Sequence, residues 1–369
     1  MDEHKTTGMT EFLKREIRVW DSLFAKEGHK ASKRNRKWLM MAAAVVAVVL
    51  IAVSLIVLVP WGTEAPPVQD GTVPIPGVGT QQSPPTENRT EPSPESEPQT
   101  QVPVPTPDPY AYDFSIVPPG ATPIVPVNLA TKNHPVNQTD RVIDMQDVMS
   151  AACVIPAPNG KVSVLVIHTH TGEGYNRDGK LYLDADDEEF ARSADGSDGV
   201  VAVGARLAQR LNEAGIGTIH CKTVFDGQSN RESYSRAADA IEAFRKAYPS
   251  LVCVIDVHRA AVIDSDGNMV RSLAVQKGQS IAQTQIICGM SAEQTSKTNL
   301  ALAMLLHDRM NRTFPESCAG VICKEQTLNQ DRAPFSLTLE IGSCGNTLSE
   351  ALAATEITAD ALCTLFQTN

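Results

Sequence analysis

Residues 162–167 read Val-Ser-Val-Leu-Val-Ile, and they are followed at once by His168-Thr169-His170-Thr171-Gly172-Glu173-Gly174-Tyr175. Apart from Ser163 the run has no polar alternation, so as a strand it needs cover on both faces. Strands of that kind belong to parallel sheets flanked by helices, and such sheets gather their chemistry at the C-terminal ends of the strands. The polar residues here begin where the apolar run stops.

The rest of the C-terminal half fits that requirement. Strand-like runs at 162–167, 218–222, 251–257, 283–288 and 337–341 alternate with helical ones at 200–214, 235–248, 297–314 and from 348 onward. Gly215 and Gly217 end the first helix, Pro249 ends the second, and Thr347-Leu348-Ser349-Glu350 is a capping box that opens the last. The expected fold class is α/β, a mostly parallel sheet with helices on both faces, beginning near Arg141 and occupying residues 141–369.

Upstream the composition changes twice. Residues 1–37 are polar and end in Lys30, Lys33, Arg34, Arg36 and Lys37, and residues 38–61 are uncharged and apolar. At about 1.5 Å per residue the second segment is long enough to cross a hydrocarbon core about 30 Å thick. With the basic cluster just before it, the positive-inside rule expects a single-pass cell membrane protein with a cytoplasmic N-terminus and an extracytoplasmic C-terminal domain. Residues 62–140 are rich in Pro, Thr, Glu, Ser and Gln and read as an extended linker that holds the domain away from the membrane.

With 43 acidic against 32 basic residues the net charge is −11, which argues against nucleic acid as a partner. The eight cysteines show no Cys-x-x-Cys pair and read mostly as buried thiols.

His168 and His170 are two apart, so a strand extended through both would project them on the same side. Glu173 can turn back toward them across Gly172. Two imidazoles and a carboxylate make a donor set suited to zinc. A second apolar strand, 251–257, ends in His258 and Arg259, with Asp256 placed to support an imidazole N–H. A third, 337–341, carries Glu340, a carboxylate that needs a partner or a function in so apolar a setting. Next to a metal it would serve as general base. His220 and His307 fall in a strand and a helix away from this edge and read as satisfied or solvent-facing.

The segments 168–175, Asp256-Val257-His258-Arg259 and Leu339-Glu340-Ile341-Gly342-Ser343-Cys344-Gly345-Asn346 together resemble the motifs of the stage II sporulation protein P family, over about residues 150–365. The resemblance implies a zinc-dependent N-acetylmuramoyl-L-alanine amidase fold. It further implies amidase and endopeptidase activity on peptidoglycan during sporulation engulfment, at the septal membrane, with stage II sporulation proteins D and M as partners. Carried over residue by residue, it makes His168 and His258 zinc ligands and Glu340 the catalytic carboxylate. Glu173 is the expected third ligand, with Asp198 as the alternative. His170 and Arg259 would assist catalysis, and Tyr175 and Asn346 would contact substrate. Two departures stand out: Ala260 replaces a usual Asp, and Gly199 a common Asn. The first motivates a second reading, an impaired peptidoglycan-binding or scaffold module.

Overall fold

The computed structural model describes residues 108–368, apart from residues 132–133, 153, 178, 188, 194–197, 228–231 and 292–294. The segments expected to be cytoplasmic (1–37) and membrane-spanning (38–61), and the linker up to 107, lie outside the described residues. Among the described residues no helix is long and apolar enough to cross a membrane.

In chain order the elements are β1 (Thr122–Val127), β2 (Val136–Asn137), α1 (Met145–Ser150), β3 (Ile155–Ala157), β4 (Val162–Ile167), β5 (Tyr182–Leu183), α2 (Val200–Glu213), β6 (Gly217–His220) and α3 (Ser233–Ala247). They continue with β7 (Cys253–Ala260), β8 (Met269–Gln276), β9 (Gln279–Ala282), β10 (Thr284–Gly289), α4 (Ser296–Thr313), β11 (Cys318–Lys324), β12 (Phe335–Ser343), α5 (Leu348–Cys363) and β13 (Phe366–Thr368).

The main sheet has the order β2-β11-β10-β12-β7-β4-β6, and all its neighbours are parallel except β10 and β12. A mixed four-stranded sheet, β5-β1-β8-β9, holds the hairpin β8–β9, whose two-residue turn Lys277-Gly278 has positive φ at both positions, as a type I′ turn requires. The expected start near Arg141 therefore falls too late. Thr122–Val127 pairs in parallel with β8 and buries Ile124, so part of the expected linker is a strand of the domain.

Strand β4 shows why the main sheet is covered twice. Val164 and Val166 enter a core formed with α2, α4 and α5, while Leu165 and Ile167 enter a second core with Ala237 and Ile241 of α3. Strand β7 alternates in the same way: Cys253, Ile255 and Val257 face the α2 side and Val254 faces the α3 side. The pairing register, Ile167↔Asp256 between β4 and β7 and Glu340↔His258 between β12 and β7, puts Asp256, His258 and Glu340 together on the α3 face. No disulfide joins the described cysteines, and Cys221, Cys253, Cys288, Cys318 and Cys323 are buried.

Candidate active site at the ends of β4, β7 and β12

The same alternation sends His168 the other way. Continuing the parity of Val164 and Val166, it points under α2, where it is fully buried. Its Nδ1 lies 2.9 Å from the Val257 carbonyl oxygen and its Nε2 lies 2.9 Å from Nε2 of His220, so both ring nitrogens are engaged in the interior. Burial holds His168 down at about 4 and His220 at about 3, the latter lowered further by His168 and Lys222, so the pair is neutral. The expectation that His168 and His170 project together does not hold, because β4 ends at Ile167 and the chain turns through residues 168–172. His220, read as lying apart, is the direct partner of His168. Its place was available in principle, since β6 runs beside β4 with His220 in register with Val166. His307 is satisfied as expected, 3.1 Å from the Asn311 side-chain amide.

Gly204 of α2 makes this arrangement possible. A Cβ there would stand 2.3 Å from His168 Cε1 and 2.4 Å from its Nε2, and the imidazole is held from two sides. Gly204→Ala should therefore lower the melting temperature: overpacking costs about 1–3 kcal/mol, against the roughly 1 kcal/mol that alanine normally adds within a helix. A higher melting temperature in the variant would refute the close packing.

On the α3 face the turn after β4 is pinned to β7. Asp256 accepts from the Thr169 backbone N–H at 2.9 Å and from Thr169 Oγ1 at 2.6 Å. That brings His170 to His258, with ring centroids 5.4 Å apart. Glu173 Oε2 lies 3.2 Å from His258 Nδ1 and also accepts from the Arg259 backbone N–H at 3.1 Å. His258 Nε2 lies 3.1 Å from Asp256 Oδ1 yet makes no well-directed hydrogen bond, although it is buried. The structure thus groups His170, Glu173, Asp256 and His258 on the α3 face, with His168 on the α2 face of the same strand ends and within electrostatic range of Asp256, His258 and Glu173.

The charges in this group are set by one another. Burial alone would raise Glu173 and Asp256, but His258 outweighs it, with help from Arg259 and His170 for Glu173 and from Thr169 for Asp256. Both carboxylates are held at about 2. Burial lowers His170; it would lower His258 too, but Asp256 and Glu173 push His258 well above the usual imidazole range. Glu340 is raised by burial, with Glu173 adding to the effect against Lys324, His258 and Arg259. Among the described residues its carboxylate makes no hydrogen bond or ion pair. An ionisable group left buried in that condition suits proton transfer.

The remaining expected residues are held in the framework. Arg259 donates from Nε to the Gly174 carbonyl oxygen at 2.9 Å and from Nη2 to that of Ala191 at 3.4 Å. Tyr175 is buried and donates its hydroxyl to the Ile341 carbonyl at 2.7 Å. Asn346 is buried among Ser272, Ser343 and Glu350. Both were expected to touch substrate, and both are turned inward instead. Asp198 is engaged by Arg177 at 2.6 Å and Ser193 at 2.5 Å. A Cβ at Gly199 would stand 2.3 Å from the Glu173 carbonyl oxygen, so no larger residue fits this backbone. Ala260 is buried and pairs with Ser343. Sequence reasoning missed Tyr234, on the first turn of α3, whose ring meets His170 edge to face at 5.6 Å. No motif marked it.

The donor chemistry fits zinc: two imidazoles, a buried carboxylate and an imidazole nitrogen lacking a hydrogen bond. Among the described residues no three such donors already stand in the arrangement of a formed metal centre.

The sequence matches the family described as Stage II sporulation protein P (SpoIIP) over residues 87–363. Comparison with curated proteins gave no match. Similar solved structures include the N-acetylmuramoyl-L-alanine amidase AmiC2 of Nostoc punctiforme, at 16% identity over 56% of this chain and 97% of that one, TM-score 0.32. An N-acetylmuramoyl-L-alanine amidase from Clostridium difficile 630 is similar at 12% identity over 55% and 94%, TM-score 0.34. The CwlD amidase from Clostridioides difficile, solved in complex with the GerS lipoprotein, is similar at 13% identity over 54% and 94%, TM-score 0.33. At these scores the structural likenesses decide nothing, and the assignment rests on the sequence match. That match spans well over half of the 369 residues, and the chain belongs to the stage II sporulation protein P family.

Proposed function

We propose that the chain is a membrane-anchored, zinc-dependent peptidoglycan hydrolase that cleaves the N-acetylmuramoyl-L-alanine amide, with an accompanying endopeptidase activity, at the sporulation septum during engulfment. Residues 38–61 would be the anchor, and stage II sporulation proteins D and M the partners. One observation carries the reading: Glu340, buried and, among the described residues, without a hydrogen bond or ion pair, lies in register with His258, which in turn meets His170 and Glu173. Family membership supports the peptidoglycan substrate.

His170, His258 and Glu173 would hold the zinc, and His168 would take no part. Bound zinc would supply a Lewis acid that polarises a carbonyl and acidifies water. Glu340 would accept the proton of the attacking water on its carboxylate and return it to the leaving nitrogen of the amide. Asp256, fixed by Thr169, would orient His258 from the Nε2 side, and Nδ1, which lies 3.2 Å from Glu173 Oε2, would face the ion that Glu173 shares. Arg259 ties the Glu173–Gly174 segment to residue 191 and so keeps Glu173 in place.

Purified full-length protein should release soluble fragments from isolated sacculi, lose that release on chelation and regain it with added zinc. Release untouched by a chelator would remove the metal from the reading. No release from folded, zinc-loaded protein would remove the hydrolase.

A further inference from the structure

Hydrolysis of an amide passes through a tetrahedral species whose oxygen carries developing negative charge, and a hydrogen-bond donor aimed at that oxygen stabilises it. The sequence offered Arg259 for this task, but its guanidinium donates to the Gly174 and Ala191 main chain. His170 belongs to the donor set for the cation. Tyr234 lies against the same group. It is half-buried, its ring meets His170 edge to face, and its phenol lies within electrostatic range of Asp256, Glu173 and Glu340.

We propose that Tyr234 is a further catalytic residue, whose hydroxyl donates a hydrogen bond to the oxygen of the scissile amide as that oxygen becomes negative. This rests on the hydrolase reading above. A tyrosine hydroxyl carries an O–H that can donate a hydrogen bond. Its position is also fixed in advance. The Asn329 side-chain amide donates to the Tyr234 carbonyl oxygen at 2.8 Å, clamping the first turn of α3, and Ser233 beside it is fully buried. A donor held by the fold costs no reorganisation when charge develops.

Tyr234→Phe keeps the ring against His170 and removes only the hydroxyl. In the full-length protein its kcat for fragment release from sacculi should fall by about a hundredfold, the scale of one lost oxyanion donor. KM, zinc content and co-sedimentation with sacculi in a Glu340→Gln background should stay at their parent values. A kcat equal to that of the unsubstituted protein would overturn the assignment. So would a fall that tracks lost zinc, which would make Tyr234 a positioning residue for His170, or a change confined to KM. If the unsubstituted protein itself releases nothing, the hydrolase reading fails and this inference with it; if it is active and Tyr234→Phe equally so, only the role of Tyr234 fails.

Discussion

Glu340→Gln should yield a protein that loads zinc, binds sacculi and releases fragments at least about a hundredfold more slowly, the range that general acid–base catalysis supplies. The same variant should be more stable than its parent at neutral pH in the metal-free state. Glu340 is buried, among the described residues it makes no hydrogen bond, and burial raises its pKa in the folded protein. A raised folded pKa means that the folded state binds the proton more tightly than the unfolded chain. Stability is therefore full at low pH and declines as pH rises through the raised pKa, leaving a deficit at pH 7. An isosteric amide carries no such deficit, so the two proteins should differ in melting temperature at pH 7 and converge near pH 4. Rates like those of the parent would remove Glu340 from the chemistry, and a variant less stable at pH 7 would show that its carboxylate has a partner. Stability lost at a site and activity gained there would then have one cause.

How much of this was legible beforehand differs between fold and site. The boundaries of β4, α2, α4 and α5 follow from apolar period and caps, and the capping box at Thr347 and Glu350 is present as read. Strand β1 was hidden because Thr-Pro-Ile-Val-Pro-Val continues a proline-rich tract, and prolines donate no hydrogen bond to a ladder. Only its pairing with β8, more than a hundred residues on, makes it a strand. The β8–β9 hairpin was missed because its turn is Lys-Gly, a weaker signal than Asn-Gly or Asp-Gly.

For the site, the residue types and the three strand ends were readable, but the faces were not. In a strand buried on both sides the alternation of apolar residues no longer tells up from down. Which face receives His258 depends on its register against β4 and β12, and register is set by the helices that cover each side. The sequence could place His168 and His170 next to a strand end. It could not show that one would enter the α2 core and the other, past a turn, the α3 face.

That division of labour between the two histidines carries the second large effect. His170→Ala should remove most bound zinc and fragment release, since His170 is buried on the α3 face against His258 and Tyr234. His168→Gln should do the reverse, keeping a measurable zinc content but lowering stability, because its two ring contacts lie in the interior. The pH dependence separates them further. His168 is neutral in the fold, with a pKa of about 4, against about 6.5 in the unfolded chain. Between those values the unfolded state binds more protons, so stability falls as pH drops from 6.5 toward 4, by about 3 kcal/mol for this group alone. His220, held at about 3 and half-buried, steepens the same slope. His168→Gln should flatten the slope and leave His220 without its imidazole partner, whereas His170→Ala should leave most of it in place. Full zinc retention in His170→Ala together with zinc loss in His168→Gln would return His168 to the metal and move the donor set to the α2 side of the sheet. The closeness of Gly204 to His168 weighs against that outcome, because the imidazole is already packed against α2 and engaged at both ring nitrogens.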